Sequence, residues 1–383
     1  MRILITCWLP LEPADSGYKQ RVLGLYGALG ERAEVLVVSP GDRPDTGIPW
    51  SPLELERKNR FLAKFPKGHV LQTFTHQFRR GATKAAREFR PDLVIAEGLW
   101  AAPMARNAAK AVGAKWGVTV QNIEALSARG VYPFPVPKLL GCYERRVYRN
   151  ANLLLAITSE EAVYLKQHLG SSAPDIIVVP NGVRTPPDVT MEKVKSQKRA
   201  WGIQESEKVI LFVGRLNYPP NKKGLEWCTH EVFPLIDTGD LPVRWIAVGK
   251  PIPEQPLTPF EFVGYVEDLP AALAAADVCI APIRHGSGTS IKVLDYIAAG
   301  RPVVATSHGA RGLPIENGRH LLVADTPQEF ARAIERLLNE PDEGRQLADL
   351  GRELVRENLT WPAIAKNLEE DLRCVLAQPT RTD

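Results

Sequence analysis

The sequence contains no long apolar run. No stretch reaches the roughly eighteen consecutive apolar residues that a membrane-spanning helix needs. The opening segment MRILITCWLP meets Pro10 and Glu12 too early for the apolar region of a signal peptide, so it is interpreted as a first strand. We therefore expect a cytoplasmic protein. Peripheral attachment to the inner face of the cell membrane is the alternative that stays open.

Cysteine is scarce and shows no pairing pattern. The chain has 5 cysteines in 383 residues, an odd number, and none forms a C-x-x-C pair. We expect reduced, mostly buried thiols in a reducing compartment rather than a disulfide framework. Spacing typical of metal ligands is also absent, so no metal site is predicted.

Several motifs of known chemistry are missing. The sequence has no G-x-S-x-G, no H-E-x-x-H, no Walker loop and no G-x-G-x-x-G. These absences disfavour a nucleophile-elbow hydrolase, a zinc protease, a P-loop NTPase and a dinucleotide fingerprint. The formal net charge of +4 is too dilute to indicate a nucleic-acid partner.

What the sequence does contain is a regular alternation of short apolar runs with longer helical patterns. The runs are continuously apolar, which is typical of parallel strands covered on both faces. The predicted strands are RILIT, AEVLVVS, DLVIAE, KWGVTVQ, NLLLAIT and DIIVVP, followed by KVILFVG, RWIAVG, FEFVG, VCIAPI, PVVAT and HLLVA. The alternation predicts an α/β protein with doubly wound sheets.

A polar segment separates the two series of strands. It begins with the turn signal Asn181-Gly182 and contains Pro186-Pro187. We predict an N-terminal domain over 1–182, a linker over 183–207 and a C-terminal domain over 208–360. A helix at about 361–377 would pack back on the first domain. Two Rossmann-like domains would face a cleft, which is where ligands bind in open α/β sheets.

The stretch HGSGTSIKVLDYIAAG, residues 285–300, resembles an anion site at a helix N-terminus. Its glycines allow close approach to the backbone, and Ser287 or Thr289 can cap the helix. Lys292 lies in the first turn, where the helix dipole disfavours a cation unless an anion neutralises it. Asp295 follows on the same face. The alternative is a glycine-rich turn without a ligand.

Other polar residues follow predicted strands. Arg215 comes directly after KVILFVG, where its guanidinium can bind diphosphate oxygens, and Lys222 and Lys223 follow it. Lys19 and Arg21 are interpreted either as acceptor-side cations or as solvated charges. The first-domain candidates on the acceptor or sugar side are Tyr18, Glu97, Gln121 and Asn122.

The segment 57–90 is strongly basic, with interleaved phenylalanines and a single acid, Glu88. It is interpreted either as a solvated helix face with aromatic core contacts or as a patch that docks on anionic lipid or an acidic acceptor.

Taken together, these residues resemble the retaining family-four glycosyltransferases of the GT-B fold, also called group 1. The motifs that carry the resemblance are LFVGR, FVGYVEDLPAALAAADVCIAPI and GSGTSIKVLDYIAAGRPVVAT. The resemblance implies that Arg215 and Lys292 hold the donor diphosphate as the catalytic pair. It also implies donor contacts from the remaining positions of the motifs: Gly17, Tyr265, Val266, Gly286, Ser287, Gly288, Thr289, Ser290 and Asp295.

The implied function is transfer of a hexose from a nucleotide-diphosphate sugar to a glycan or lipid-linked acceptor in cell-envelope or exopolysaccharide synthesis. UDP-glucose is the leading donor, no cofactor is needed, and the absence of D-x-D indicates a metal-independent reaction. The sequence departs from the family at Gly288, where an acid is usual, and at Gln121, where histidine is frequent. A non-catalytic nucleotide-sugar binder and a sugar-nucleotide epimerase therefore stay open as alternatives.

Overall fold

The structure, a computed structural model, describes residues 1–14, 16–44, 47–53, 76–129, 131–255, 257–286 and 289–378. The chain divides into two compact units. The first comprises Met1–Gly182 and Trp361–Asp383, and the second comprises Val183–Thr360. Each unit is built around one parallel sheet with helices on both faces.

The first sheet has seven strands in the order β3-β2-β1-β4-β5-β6-β7. Their bounds are β1 Arg2–Thr6, β2 Glu34–Ser39, β3 Trp50–Pro52, β4 Leu93–Glu97, β5 Lys115–Val120, β6 Leu153–Ala156 and β7 Asp175–Val178. The helices of this unit are α1 Gly17–Gly30, α2 His76–Phe89, α3 Ala102–Val112, α4 Glu124–Ser127, α5 Val136–Asn150, α6 Ser159–Leu169 and, at the end of the chain, α14 Trp361–Ala377.

The second sheet has six strands in the order β10-β9-β8-β11-β12-β13. Their bounds are β8 Lys208–Val213, β9 Val243–Val248, β10 Phe260–Gly264, β11 Val278–Ala281, β12 Val303–Ala305 and β13 Leu322–Val323. The helices of this unit are α7 Met191–Ala200, α8 Pro219–Trp227, α9 Leu269–Ala274, α10 Ile291–Ala298, α11 Ser307–Ala310, α12 Pro327–Asn339 and α13 Pro341–Leu354.

The last helix belongs to the first unit because it packs on α1. Gly24 of α1 leaves room for the indole of Trp361, and a Cβ at Gly24 would lie only 2.2 Å from Trp361 Nε1. Leu368 and Leu372 of α14 are buried in the same core as Val22 of α1. The chain therefore leaves the first unit after Gly182 and returns to it at Trp361.

The predicted linker is part of the second unit rather than a separate segment. Residues 191–200 form α7, whose N-cap Thr190 accepts a hydrogen bond from the Lys193 amide. Ile203 is 6% exposed and packs into the core of the second sheet. The proline pair and polar composition gave no sign of this packing. It rests on scattered apolar residues, since Val183 and Ile203 are buried in this core and Trp201 packs against it.

The prediction of free, mostly buried cysteines is confirmed. All five are free, Cys7, Cys228 and Cys279 are buried, and Cys142 and Cys374 are exposed. The short edge strand β3 was not predicted. No helix within the described residues is long and apolar enough to cross a membrane.

Candidate functional site

The second sheet changes winding direction between β8 and β11. These strands are neighbours, and the chain proceeds from them to opposite edges of the sheet. A crevice forms at such a point beyond the carboxyl ends of the strands. Arg215 follows β8 and the glycine-rich stretch follows β11, so the fold brings both predicted donor elements to this point.

Lys292 is held by residues of the β8–α8 segment. Its Nζ donates a hydrogen bond to Asn221 Oδ1 at 2.7 Å and lies 4.1 Å from the centre of the Phe212 ring. A Cβ on Gly214 would come within 2.9 Å of this Nζ. Burial lowers the pKa of Lys292 to about 7, because the surroundings disfavour the charged ammonium. No carboxylate within the described part of the chain pairs with it. An anion bound here would restore its charge.

Asp295 lies one turn after Lys292 on α10. Its side chain is half-buried, and burial raises its pKa to about 7. The next residue, Tyr296, is fully buried and its hydroxyl accepts a hydrogen bond from the Val213 amide at 2.7 Å. This bond fixes α10 against the end of β8. Lys292 and Asp295 are thereby presented at the strand end.

Asn221 is a site residue that the sequence did not reveal. Its Nδ2 donates to the Arg215 carbonyl at 2.8 Å while its Oδ1 accepts from Lys292. The neighbouring lysines, which were predicted to contribute, are exposed, and Lys222 lies 3.8 Å from Glu226. Asn221 thus joins the loop after β8 to α10.

Arg215 is exposed at the carboxyl end of β8. Its Nε donates to Asn217 Oδ1 at 2.8 Å, and it forms no ion pair with a described carboxylate. Its guanidinium therefore keeps donors available for an anion. It is the second unpaired cation at this sheet end.

The glycine-rich turn is arranged around Gly286. Its φ of +132° is one that glycine adopts easily, and its carbonyl accepts from Arg311 Nη2 at 3.4 Å and lies 3.1 Å from His308 Nε2. Ser287 and Gly288 lie outside the described residues. Ser290, not Ser287 or Thr289, is the N-cap residue of α10, and its side chain makes no capping bond. Of the first amides of α10, that of Val293 donates to the Ser290 carbonyl at 3.1 Å, and the Ser290 side chain caps none of them.

His308 and His285 flank this turn. Burial lowers the pKa of His308, so its imidazole is neutral near pH 7. His285 Nε2 is buried and has no hydrogen-bond partner. His308, which the sequence did not indicate, reaches the turn from α11.

Tyr265 and Val266 follow β10. The Tyr265 ring is 67% exposed, and Lys250 Nζ lies 5.5 Å from its centre. Val266 is half-buried and packs on the core. An exposed aromatic face beside a cation is a surface on which a nucleobase can stack.

In the first domain, Glu97 is fully buried at the end of β4. It accepts hydrogen bonds from the Tyr26 hydroxyl, from Thr119 Oγ1 at 2.6 Å and from Gln121 Nε2 at 2.6 Å. Both carboxylate oxygens of Glu97 are therefore engaged in hydrogen bonds within the protein. Gln121, half-buried, keeps its amide oxygen for other partners.

The segment containing Gln121 and Asn122 is also held from the far side, by Glu144 of α5. The Glu144 carboxylate accepts from the amides of Glu124 at 2.6 Å and Ala125 at 3.0 Å, and burial raises its pKa to about 7. Glu144 stands in the basic run YERR, so the sequence did not predict that its carboxylate binds these two backbone amides.

Other first-domain candidates are spread along α1. Gly17 is the exposed first residue of α1, and the Tyr18 ring lies 6.2 Å from that of Trp8. Arg21 is 1% exposed and donates to the Val179 and Pro180 carbonyls at 2.8 Å. Arg21 therefore holds the chain after β7, which contradicts both predicted roles for it.

Two family models match this chain. Residues 16–182 match the model described as "Glycosyl transferase 4-like domain", and residues 207–340 match "Glycosyl transferases group 1". This chain belongs to the family-four, group 1 glycosyltransferases. The resemblance stated from the motifs is confirmed.

Among curated proteins, the chain is 28% identical over 260 residues to D-inositol 3-phosphate glycosyltransferase of Corynebacterium urealyticum, covering 62% of this chain and 60% of that protein. It is 27% identical over 225 residues to phosphatidyl-myo-inositol mannosyltransferase of Mycobacterium leprae, covering 56% and 57%. The chain thus spans about 60% of the length of the curated relatives it matches.

Solved structures share the fold across the whole chain. Sucrose-phosphate synthase of Thermosynechococcus elongatus has a TM-score of 0.76 at 18% identity, covering 98% of this chain and 99% of that one. HepE of Anabaena, solved with UDP and glucose, has a TM-score of 0.74 at 16% identity, covering 98% and 100%. The predicted GT-B fold class is confirmed.

Proposed function

We propose that this chain is a retaining hexosyltransferase that uses a nucleotide-diphosphate sugar, with UDP-glucose as the leading donor. The observation that carries the proposal is Lys292, which no described carboxylate pairs with, at the switch point of the second sheet. Arg215 lies beside the same strand end. Family membership supports transferase chemistry, and the HepE complex is one in which the same fold holds UDP and glucose.

The second domain would bind the donor. Lys292, Arg215 and the first amides of α10 would contact the diphosphate, and Asp295 would accept hydrogen bonds from the ribose hydroxyls. Tyr265 would stack beside the base. Gly286, Thr289 and Ser290, with Ser287 and Gly288, would lie along the distal phosphate and the sugar.

In the transfer step, the bond between the anomeric carbon and the diphosphate oxygen breaks. A bond forms to an acceptor hydroxyl on the same face, and the hydroxyl proton passes to the departing phosphate. Lys292 and Arg215 would stabilise the charge that develops on the diphosphate. These cations would take the role that a metal has in other transferases, so we propose a reaction without metal or cofactor. The described residues contain no group of three or more acidic, histidine or cysteine side chains placed to hold a metal ion.

The first domain would contribute Gln121 and Asn122 to the sugar side. Glu97 would orient Gln121 through the 2.6 Å hydrogen bond, while Gly17 and Tyr18 would line the acceptor side. Because the Glu97 oxygens already accept three hydrogen bonds, an epimerase mechanism with Glu97 as the base is disfavoured.

The acceptor is proposed to be a glycan or a lipid-linked sugar of the cell envelope, presented at an anionic membrane surface. Of the basic segment, residues 76–90 are described. Arg80, Lys84 and Arg87 are exposed on α2, and their spacing puts them on one face. This stripe would contact anionic headgroups.

Donor use is tested by incubating the protein with UDP-glucose, in EDTA, and a panel of acceptors that includes lipid-linked sugars and inositol phosphate. UDP release that depends on the acceptor, with retained anomeric configuration by NMR, supports the proposal. Binding of UDP-glucose without transfer to any acceptor would favour the non-catalytic binder. Conversion of UDP-N-acetylglucosamine without acceptor would favour the epimerase.

The membrane stripe is tested by co-sedimentation with vesicles containing phosphatidylglycerol. Replacing Arg80, Lys84 and Arg87 by glutamine should reduce binding at least tenfold. The matched control removes the same charge from exposed lysines elsewhere, at Lys110, Lys166 and Lys195. Equal binding by the two triple variants would remove the membrane assignment of α2.

A further inference from the structure

A second cationic pocket lies in the helical layer of the first domain. It has a volume of about 210 Å³ and is lined by α2, α3 and α5, with Trp116 from β5 at its wall. Its described lining residues come from the first domain and include none of the residues of the switch-point site, so the pocket is distinct from that site. Its charged, amide and aromatic lining residues include Arg79, Arg106, Arg146, Asn107, Trp116 and Tyr143.

The pocket is unusual in its charge. Its described lining includes Arg79, Arg106 and Arg146 but no aspartate or glutamate. Among the described ion pairs and side-chain hydrogen bonds, none involves these three guanidinium groups. Such convergence of like charge in a concave surface is unfavourable unless an anion binds there.

Arg79 is less exposed than the other two arginines of the pocket. Its Nε is buried and has no hydrogen-bond partner. A buried, unsatisfied donor on a charged group costs free energy that folding must offset, and a ligand oxygen would recover it. Arg106 and Arg146 are exposed at the rim, where they can close on a ligand.

The size and donors of the pocket indicate the ligand class. At about 210 Å³ it is smaller than the roughly 300–1,000 Å³ of drug-sized ligand sites. Guanidinium groups bind phosphate oxygens through paired N–H donors. The Asn107 amide adds a further donor, and the Trp116 and Tyr143 rings supply an apolar wall for the carbon attached to the phosphate.

We propose that this pocket binds a phosphate group, carried either by a soluble phosphate ester or by a lipid headgroup. The proposal is independent of the donor site and of the transferase reaction. Arg79, which lines this pocket, is separate from the exposed basic stripe of Arg80, Lys84 and Arg87 on the same helix.

The first arm of the test measures binding of inorganic phosphate by calorimetry at constant ionic strength. The double variant Arg106→Gln/Arg146→Gln should bind phosphate at least tenfold more weakly than the unaltered protein. The control variant Lys110→Gln/Arg145→Gln removes two exposed charges from the same two helices and should bind as the unaltered protein does. Lys292→Met should also retain phosphate binding at this pocket. Thermal unfolding in chloride checks that each variant is folded.

The second arm uses phosphatidylcholine vesicles carrying either phosphatidic acid or an equally charged amount of phosphatidylglycerol. Binding of inorganic phosphate assigns a soluble ester. Binding of phosphatidic acid vesicles alone, lost in the Arg106→Gln/Arg146→Gln variant only, assigns a headgroup. The proposal is overturned if neither probe binds, if both double variants lose binding equally, or if only Lys292→Met loses it.

Discussion

The lowered pKa of Lys292 predicts that the protein takes up a proton, at Lys292, when a nucleoside diphosphate binds. Without ligand, the pKa of Lys292 is about 7, so at pH 8.5 nearly all of it is neutral. A diphosphate stabilises the ammonium and raises this pKa, so binding at pH 8.5 should take up close to one proton per site, roughly 0.9 or more.

Linkage fixes the sign of the pH dependence. The liganded form binds more protons, so affinity should fall as pH rises above 7, approaching about tenfold per unit, until the pKa of the liganded form is reached. Each pKa unit corresponds to roughly 1.4 kcal/mol. Lys292 should contribute no pH dependence well below pH 7, where both forms carry the proton.

Calorimetric titration with UDP at pH 8.5 in buffers of different ionisation enthalpy measures the proton count directly. Asp295, whose pKa is also about 7, is almost fully ionised at pH 8.5 and contributes little there. His308, whose pKa is lowered, is neutral. Lys292→Met keeps a chain that packs on Phe212 and should abolish the uptake. Proton uptake that persists in Lys292→Met, or its absence in the unaltered protein, would show that Lys292 is not the group that becomes protonated.

Three further predictions concern the supporting structure. Asn221→Ala removes the acceptor of Lys292 and should weaken UDP binding about tenfold by calorimetry, since such a charged hydrogen bond contributes roughly 1.5 kcal/mol; unchanged affinity would contradict this role. Gly24→Ala would force Cβ into Trp361 and should lower the free energy of unfolding by about 1–3 kcal/mol, whereas Gly30→Ala, with nothing within 4 Å, should not destabilise. Glu144→Gln should flatten the pH dependence of the melting temperature: the folded pKa of Glu144 is raised to about 7, so its contribution favours folding at low pH and is lost as pH rises towards 7. Parallel curves for variant and unaltered protein would refute this.

The strands were predictable because each is a short, continuous apolar run between turn signals. The exception is β3, Trp50–Pro52, an edge strand of three residues that includes a proline and so has no apolar pattern. The segment 183–207 was also misjudged, because only a few scattered apolar residues attach it to the core. Val183 and Ile203 are buried and Trp201 packs beside them, and their spacing has no strand or helix period.

Within the site, Arg215 and Lys292 could be placed because their positions at a strand end and a helix start follow from local pattern. The roles of Asn221 and Phe212 could not be predicted from the sequence. Asn221 is 71 residues away from Lys292 along the chain, and the contact with Phe212 depends on which face of β8 its ring occupies. Arg21 was misinterpreted because a charged residue early in an amphipathic helix gives no sign of being buried against a distant carbonyl pair.

We propose that a donor diphosphate binds at the β8–β11 switch point without metal. This is tested most directly by comparing the affinities of UDP and UMP in EDTA for the unaltered protein and for Lys292→Met. We expect UDP to bind at least tenfold more tightly than UMP, and Lys292→Met to lose this difference. Equal affinities in the unaltered protein, or a preference for UDP that Lys292→Met retains in full, would show that Lys292 does not hold the diphosphate.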